Sequence, residues 1–285
     1  MSVREYKEPR TLEEAQDLAQ RYAEGGKLLA GGTALVLLMR QKLLQPEVLI
    51  NLRKVPELGG IEQTTRSVRI GATVTHDQAA RSELLKAHWP ALVRCFAQVA
   101  TPRIRHAGTV GGNLVHGDPH LDPPVALLAL DVHVHLQSTR QGERELSIRD
   151  FFVDYYQTVA EPDEILSDVR VPQRKRGEGL AFLKFLPRSQ DDYATVDLAV
   201  WLRQQDGSVE DVRIALGSVG PTVFRAAQAE AAARSGSIED AARLASEAAD
   251  PEDDVRGSAA YKRQLIRVLL PRVYAEAVQD ASRPN

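Results

Sequence analysis

The 285-residue sequence predicts an α+β chain. Three observations carry that reading. A short βαβ-like unit opens the chain, strands flank a helical stretch in its middle, and three strands followed by three helices close it. Alternating units pack helices on a small sheet, whereas strands succeeded by helices segregate into layers.

Thr11-Leu12-Glu13-Glu14 has the residue types of a capping box, and Leu12, Ala15, Leu18, Ala19 and Tyr22 follow at helical spacing. Gly25-Gly26 stops that helix. Leu28-Leu29-Ala30 reads as a strand, 34–39 as a helix and 48–52 as a short buried strand. From Ser67 the pattern changes, with an alternating strand at 68–72 and a helical stretch over 77–100 broken at Pro90. A helix-like run continues over 91–104. Residues 125–130 form a short apolar helix, Val132, Val134 and Leu136 alternate with His133 and His135 as a strand, and 165–171 is another strand.

The charged segment 173–179 reads as a flexible linker. Beyond it come strands at 181–186, 194–202 and 209–216, with Asp206-Gly207 as a hairpin turn. Helices over 226–235, 238–249 and 259–276 follow, the last interrupted or kinked at Pro271. The expected domains are 1–172, in subdomains of about 1–57 and 58–172, and 178–285 with an antiparallel sheet and helices.

Hydrophobic residues make up 43% and charged residues 26%, ordinary for a globular protein. The net charge of −3 leaves no basic footprint for nucleic acid. No apolar run reaches membrane-spanning length, and Met1-Ser2-Val3-Arg4-Glu5 does not read as the start of a signal peptide, so a cytoplasmic protein is expected. The single cysteine, Cys95, excludes an internal disulfide and any iron–sulfur cluster ligated by this chain's cysteines alone. Its setting in Ala91-Leu92-Val93-Arg94-Cys95-Phe96-Ala97 points to a buried structural thiol.

Two glycine-rich turns carry the chemistry: Ala30-Gly31-Gly32-Thr33, and Gly108-Thr109-Val110-Gly111-Gly112-Asn113. Paired glycines let backbone approach a ligand closely and reach positive φ cheaply. Successive free N–H groups with a helix behind them cradle an anion. Two such cradles suit a diphosphate ligand such as a dinucleotide; two ordinary tight turns are the alternative. The chain has no Gly-x-x-x-x-Gly-Lys-Ser/Thr, and no Gly-x-Gly-x-x-Gly follows its first strand. His133 and His135 share a strand face, which is read as exposed rather than as a zinc site. His116 and His120 flank Asp118 near the second turn without forming a catalytic arrangement.

Several segments, in order, resemble the FAD-binding subunit of molybdenum-containing hydroxylases, the carbon monoxide dehydrogenase and xanthine dehydrogenase family. Leu29-Ala30-Gly31-Gly32-Thr33 is similar to the family's first flavin loop, and Ile104-Arg105-His106-Ala107-Gly108-Thr109-Val110-Gly111-Gly112-Asn113-Leu114 to its second. Asp118-Pro119-His120-Leu121-Asp122 resembles the acidic stretch that continues it, Asp163-Glu164-Ile165-Leu166 the end of the flavin domain, and Lys184 with Asp191-Asp192-Tyr193-Ala194 the start of the C-terminal domain. Ala34 departs from the pattern, since many members carry Asp there.

The resemblance implies the two-subdomain FAD-binding fold of the PCMH type, with FAD between the subdomains, followed by a C-terminal domain of the carbon monoxide dehydrogenase flavoprotein type. Leu29, Ala30, Gly31, Gly32, Thr33 and Ala34 would line one side, with the N–H groups of Gly31, Gly32 and Thr33 on the diphosphate. Thr109, Gly111, Gly112 and Asn113 would supply the opposing wall, Asn113 and Asp122 taking sugar hydroxyls. Leu166 would sit beside the flavin, Lys184 near the pyrimidine end of its ring, and Tyr193 over a ring face. A surface lysine and a core-edge tyrosine are the alternatives for the last two. The resemblance also implies a small [2Fe-2S] subunit and a large molybdopterin subunit as partners, in a dimer of heterotrimers. Electrons would pass from the clusters through FAD to an external acceptor. A self-contained flavin oxidase and a scaffolding subunit with a lost flavin site are the rival readings.

Overall fold

A computed structural model describes residues 3–186, 188–189 and 191–283; Met1 and Ser2 lie outside them. The chain begins with β1 (Glu5–Lys7), α1 (Leu12–Arg21), β2 (Gly26–Leu29), α2 (Leu35–Arg40) and β3 (Val48–Asn51). The three strands form a parallel sheet in the order β1-β3-β2. Ala15 and Ala19 of α1 bury against Val48 and Ile50. Thr11 caps α1 by accepting from Glu14 N at 3.2 Å, but Glu14 reaches one residue past the cap, to Arg10 N at 2.8 Å. The expected reciprocal box is therefore a displaced one.

Next come β4 (Ile61–Gln63), β5 (Ser67–Gly71), α3 (His76–Ala80), α4 (Glu83–His88), α5 (Pro90–Ala97), α6 (Pro102–Ala107), α7 (Val110–His116) and α8 (Asp122–Leu130). The expected stretch over 77–100, broken at Pro90, is three helices, with a further break before α4, and the run over 91–104 is two. Pro90 and Pro102 each begin a helix, where a missing N–H costs nothing. Ser82 caps α4, and Ala100 at φ 39° ends the run after α5. Then follow β6 (His133–Ser138), β7 (Gly142–Ser147), β8 (Phe152–Asp154), β9 (Gln157–Thr158) and β10 (Ile165–Pro172). They build an antiparallel sheet in the order β4-β5-β10-β6-β7, with β8 and β9 as a separate hairpin.

The last part has β11 (Glu178–Phe185), β12 (Val196–Gln205), β13 (Ser208–Gly217) and β14 (Phe224–Arg225) in an antiparallel sheet of that order. Its helices are α9 (Ala227–Arg234), α10 (Ile238–Ala248) and α11 (Ala259–Ala281). Asp206 and Gly207 both have positive φ, as the tight β12–β13 hairpin requires. Pro271 lies inside α11 without dividing it.

All nine residues of α8 are buried, so the apolar stretch at 125–130 is a helix covered on every side. It packs in a core that takes Val134, Leu136 and Val169 from the middle sheet and Phe182, Ala199 and Ala215 from the last one. The segment expected to be a flexible linker is instead tied down. Arg174 Nε donates to Glu178 O at 2.9 Å, Lys175 N donates to the Glu178 carboxylate at 2.7 Å, and the Arg174 side chain is buried. His135 also departs from expectation: it is buried, with Nδ1 at 2.9 Å from Glu143 and Nε2 at 3.3 Å from Glu145 of the neighbouring β7. Glu145 lies directly opposite it in register and Glu143 opposite Gln137, a pairing that periodicity along one strand does not reveal.

Candidate functional site

The two glycine turns meet. A Cβ on Gly31 would run into the Ala107 carbonyl oxygen and lie 2.7 Å from Gly108 Cα, so only glycine lets the first turn press on the second. Thr33 Oγ1 lies on the same seam, 3.4 Å from where a Gly108 Cβ would stand. Gly32 has φ +73°, which bends the chain out of β2 and into α2. Leu29 ends β2, paired with Asn51 of β3, and Ala30 follows it half-buried.

The N–H groups of Gly31, Gly32, Thr33 and Ala34 make no hydrogen bond among the described residues, while Gly32 O and Ala34 O accept from Val36 and Leu38 of α2. Four consecutive donors at the start of a helix are an open anion cradle. Ala34 contributes through its backbone, with no capping side chain at that position.

The second turn is built differently. Val110 N donates to Val74 O at 2.9 Å, Gly111 N to Ala72 O at 2.9 Å, and Asn113 N to Thr109 O at 2.9 Å. Gly112 N is taken by the Thr109 hydroxyl, at 3.2 Å, as the N-cap of α7. A Cβ on Gly111 would strike Ala72, 2.5 Å from its Cβ and 2.9 Å from its Cα. The expectation of two phosphate cradles is corrected here: the second turn has spent the N–H groups of Gly108 and of Val110 to Asn113 on the protein and presents a surface. His76 supports it from below, donating N–H to Gly108 O at 3.0 Å. Burial, with Arg105 nearby, pulls the His76 imidazole down to about 4, so it is neutral.

What the second wall offers is acceptors. Asn113 Oδ1 is buried without a partner among the described residues, as is Asp122 Oδ1. Asp122 opens α8, where the helix N-terminus favours an anion. Its Oδ2 lies 2.9 Å from Lys184 Nζ on β11, and that ammonium also donates to Gln98 O at 3.2 Å. Burial raises the Asp122 carboxyl to about 6 against the pull of the lysine. Lys184 has a side chain only 2% exposed, so the alternative of a surface lysine falls. The sequence treats Asp122 and Lys184 separately, whereas the fold makes them one ion pair that joins α8 to the last sheet.

Leu166 is buried in β10, opposite Leu136 of β6, beside an irregularity in the ladder. Tyr193 stands 43% exposed between β11 and β12. The Arg256 guanidinium lies 5.3 Å from its ring centroid, and the His120 ring meets it edge-on at 5.8 Å. Burial and the nearby Asp118 charge push its phenol up. Asp118 accepts from His120 N at 2.9 Å and pairs with His120 Nδ1 at 3.1 Å. Burial raises its carboxyl, and the bonds from His120 outweigh that to leave it below the usual range. Cys95 is wholly buried on α5, its thiol pushed well up by burial.

Sequence reading missed one residue in this region. Asp197 on β12 is fully buried and accepts from Ser218 Oγ at 3.2 Å. Its signal was visible: a single acid inside the apolar run Val196-Asp197-Leu198-Ala199-Val200.

Unspent N–H groups at the first turn, with unpartnered acceptors on Asn113 and Asp122, are groups that suit an anionic, hydroxyl-rich ligand, and FAD has that chemistry in its diphosphate and its ribityl and ribose hydroxyls. Residues 2–174 match the family of the FAD binding domain in molybdopterin dehydrogenase, and residues 181–277 the CO dehydrogenase flavoprotein C-terminal domain. The carbon monoxide dehydrogenase medium chain of Hydrogenophaga pseudoflava is 33% identical over 273 residues, 94% of each chain. The nicotine 6-hydroxylase medium subunit of Paenarthrobacter nicotinovorans is 37% identical over 277 residues, 95% of this chain and 96% of that one. Among solved structures, carbon monoxide dehydrogenase from Hydrogenophaga pseudoflava superposes with a TM-score of 0.92 at 34% identity, covering 97% of each chain. Quinoline 2-oxidoreductase from Pseudomonas putida 86 gives 0.91 at 30% identity, covering 98% of each. The chain therefore belongs to the FAD-binding medium subunits of the carbon monoxide dehydrogenase and xanthine dehydrogenase type of molybdenum hydroxylases, and it is an oxidoreductase subunit.

Proposed function

We propose that this chain carries electrons within a molybdenum hydroxylase, from [2Fe-2S] clusters on a small partner subunit, through FAD, to an external acceptor. A large molybdopterin subunit would oxidise the substrate, in a cytoplasmic dimer of heterotrimers. No helix among the described residues is long and apolar enough to cross a membrane. FAD, when bound, supplies a redox centre that takes up and releases electrons one or two at a time.

The observation that carries this reading is the division of labour between the two turns. The unspent N–H groups of Gly31, Gly32, Thr33 and Ala34 hold the diphosphate, and the Thr33 hydroxyl assists. Thr109, Gly111 and Gly112 shape the facing wall, from which Asn113 Oδ1 and Asp122 Oδ1 each accept a hydrogen bond from a hydroxyl of the sugar chain. Leu29, Ala30 and Leu166 border the ligand with backbone and apolar groups. Lys184, with three ammonium protons and two partners, keeps a positive charge beside the pyrimidine end of the ring. Tyr193 closes over a ring face. The buried, un-ionised Cys95 leaves iron–sulfur ligation to another chain.

The test is made on purified protein, alone and co-expressed with the two partner subunits. Denaturation should release FAD, not FMN. The single chain should oxidise no aldehyde or purine, whereas the complex should show substrate-driven flavin reduction. Release of FMN would sink the cofactor assignment, and substrate turnover by the single chain would establish the self-contained oxidase instead.

A further inference from the structure

Beneath the Asp122–Lys184 pair lies a second carboxylate for which no countercharge remains. Lys184 of β11 and Asp197 of β12 are directly opposed in register, and Gly217 of β13 is opposed to Asp197 on its other side. A Cβ at Gly217 would lie 3.4 Å from Asp197 Cβ and against Val125 of α8, so the row is sealed from above. Asp197 is 0% exposed. One oxygen accepts from Ser218 Oγ at 3.2 Å; the other, Oδ1, has no partner among the described residues. The groups that face it are Lys184 from β11, Asp122 from α8, the un-ionised Cys95 from α5 and the Ser218 hydroxyl that follows β13. Two acids therefore share one ammonium in an apolar interior, and that ammonium is bonded to Asp122.

We propose that Asp197 is a positioning residue of the flavin site, holding a proton on its carboxyl so that Lys184 and Asp122 form a balanced pair and Asp122 keeps Oδ1 free for the ligand. An ionised carboxylate with a single neutral donor is not tolerated in such a place; the group neutralises instead. Burial and the Asp122 charge both push it that way, against the attraction of Lys184. If Asp197 lost its proton, it would compete with Asp122 for the ammonium and add a negative charge beneath an anionic ligand. Asp197→Asn keeps the shape and neutrality of the protonated acid.

This inference rests on the flavin reading for its consequence, but its core is testable without flavin. Infrared spectra of the full chain, stripped of FAD and loaded with it, should show at neutral pH the C=O stretch of a protonated carboxyl. That band should disappear in Asp197→Asn and weaken in Asp122→Asn, which removes the neighbouring negative charge and frees Lys184 to pair with an ionised Asp197. Ser218→Ala, which removes only the hydrogen bond to Oδ2, should shift the band and so serves if Asp197→Asn fails to fold. The Kd for FAD should rise on the order of tenfold as pH is raised and Asp197 ionises, and should stay flat in Asp197→Asn. Absence of the band, or the same pH trend in Asp197→Asn, would overturn the proposal. A band that behaves as described in a protein that binds no FAD would instead overturn the flavin reading alone.

Discussion

The two glycine turns share a composition and differ in what they have left to give. In the first, Gly31 lets backbone press on backbone, and the N–H groups from Gly31 to Ala34 remain unpaired. In the second, Gly111 permits an equally close approach, to Ala72, but its N–H and those of Val110, Gly112 and Asn113 are consumed by Ala72, Val74 and Thr109. A glycine pair thus reports proximity, not ligand binding. Whether the approach leaves donors free depends on what lies across from the turn. Across from the second turn lies the segment after β5, whose carbonyls at Ala72 and Val74 accept its N–H groups.

The largest expected effect separates the two directly. Gly111→Val would force a branched side chain into Ala72, backbone included, and overpacking of that kind costs about 3 kcal/mol at its upper range. If both glycine pairs served only to let a ligand approach, a branched residue at either turn would displace flavin and spare the fold. The structure retains that outcome only for Gly32 of the first turn. Thermal unfolding of the FAD-free chain should therefore show a clear loss of stability for Gly111→Val. An unchanged unfolding temperature would mean that the second turn does not pack as described.

Gly32→Val comes next. Its cost to the fold is that of placing a branched residue at φ +73°, about 1–2 kcal/mol, since a Cβ there meets only Leu29 Cδ1 at 3.0 Å and Val36 Cγ2 at 3.4 Å. Those contacts are with side chains that can move. Circular dichroism should stay close to that of the unsubstituted chain while bound FAD is lost. Full FAD occupancy in this variant would take the diphosphate away from the first turn.

What could be read from the sequence follows the same division. Elements whose signal is local were legible: the apolar run of α8, the Asp206-Gly207 hairpin, the strands β11 to β13 and the glycine turns themselves. Short edge strands such as β1, β4 and β14 were not, because three or fewer residues carry no periodicity, and the partner of β1 also lies far along the chain. At the site, the resemblance to the flavin-binding family pointed to Asn113, Asp122 and Lys184, and the orphaned oxygens on the first two suit the ligand that it implies. The ion pair between Asp122 and Lys184, the spent N–H groups of the second turn and the burial of His135 all depend on pairing across the fold. A sequence window cannot hold that information.

The smallest expected effect is also the most discriminating, because it compares two threonines of the same chemistry. Thr109 Oγ1 accepts from Gly112 N and caps α7, whereas the Thr33 hydroxyl has no hydrogen-bond partner among the described residues. Thr109→Ala should cost the fold about 1 kcal/mol, the usual loss of an N-cap, and leave FAD affinity nearly unchanged. Thr33→Ala should leave unfolding unchanged and weaken FAD by up to about tenfold, the worth of one hydrogen bond to a charged group. Unfolding curves of the FAD-free variants and FAD titrations by fluorescence quenching measure the two effects independently. If both threonines moved stability and affinity together, the turns would not divide the work, and the free N–H groups of the first turn would lose their special standing as the cradle.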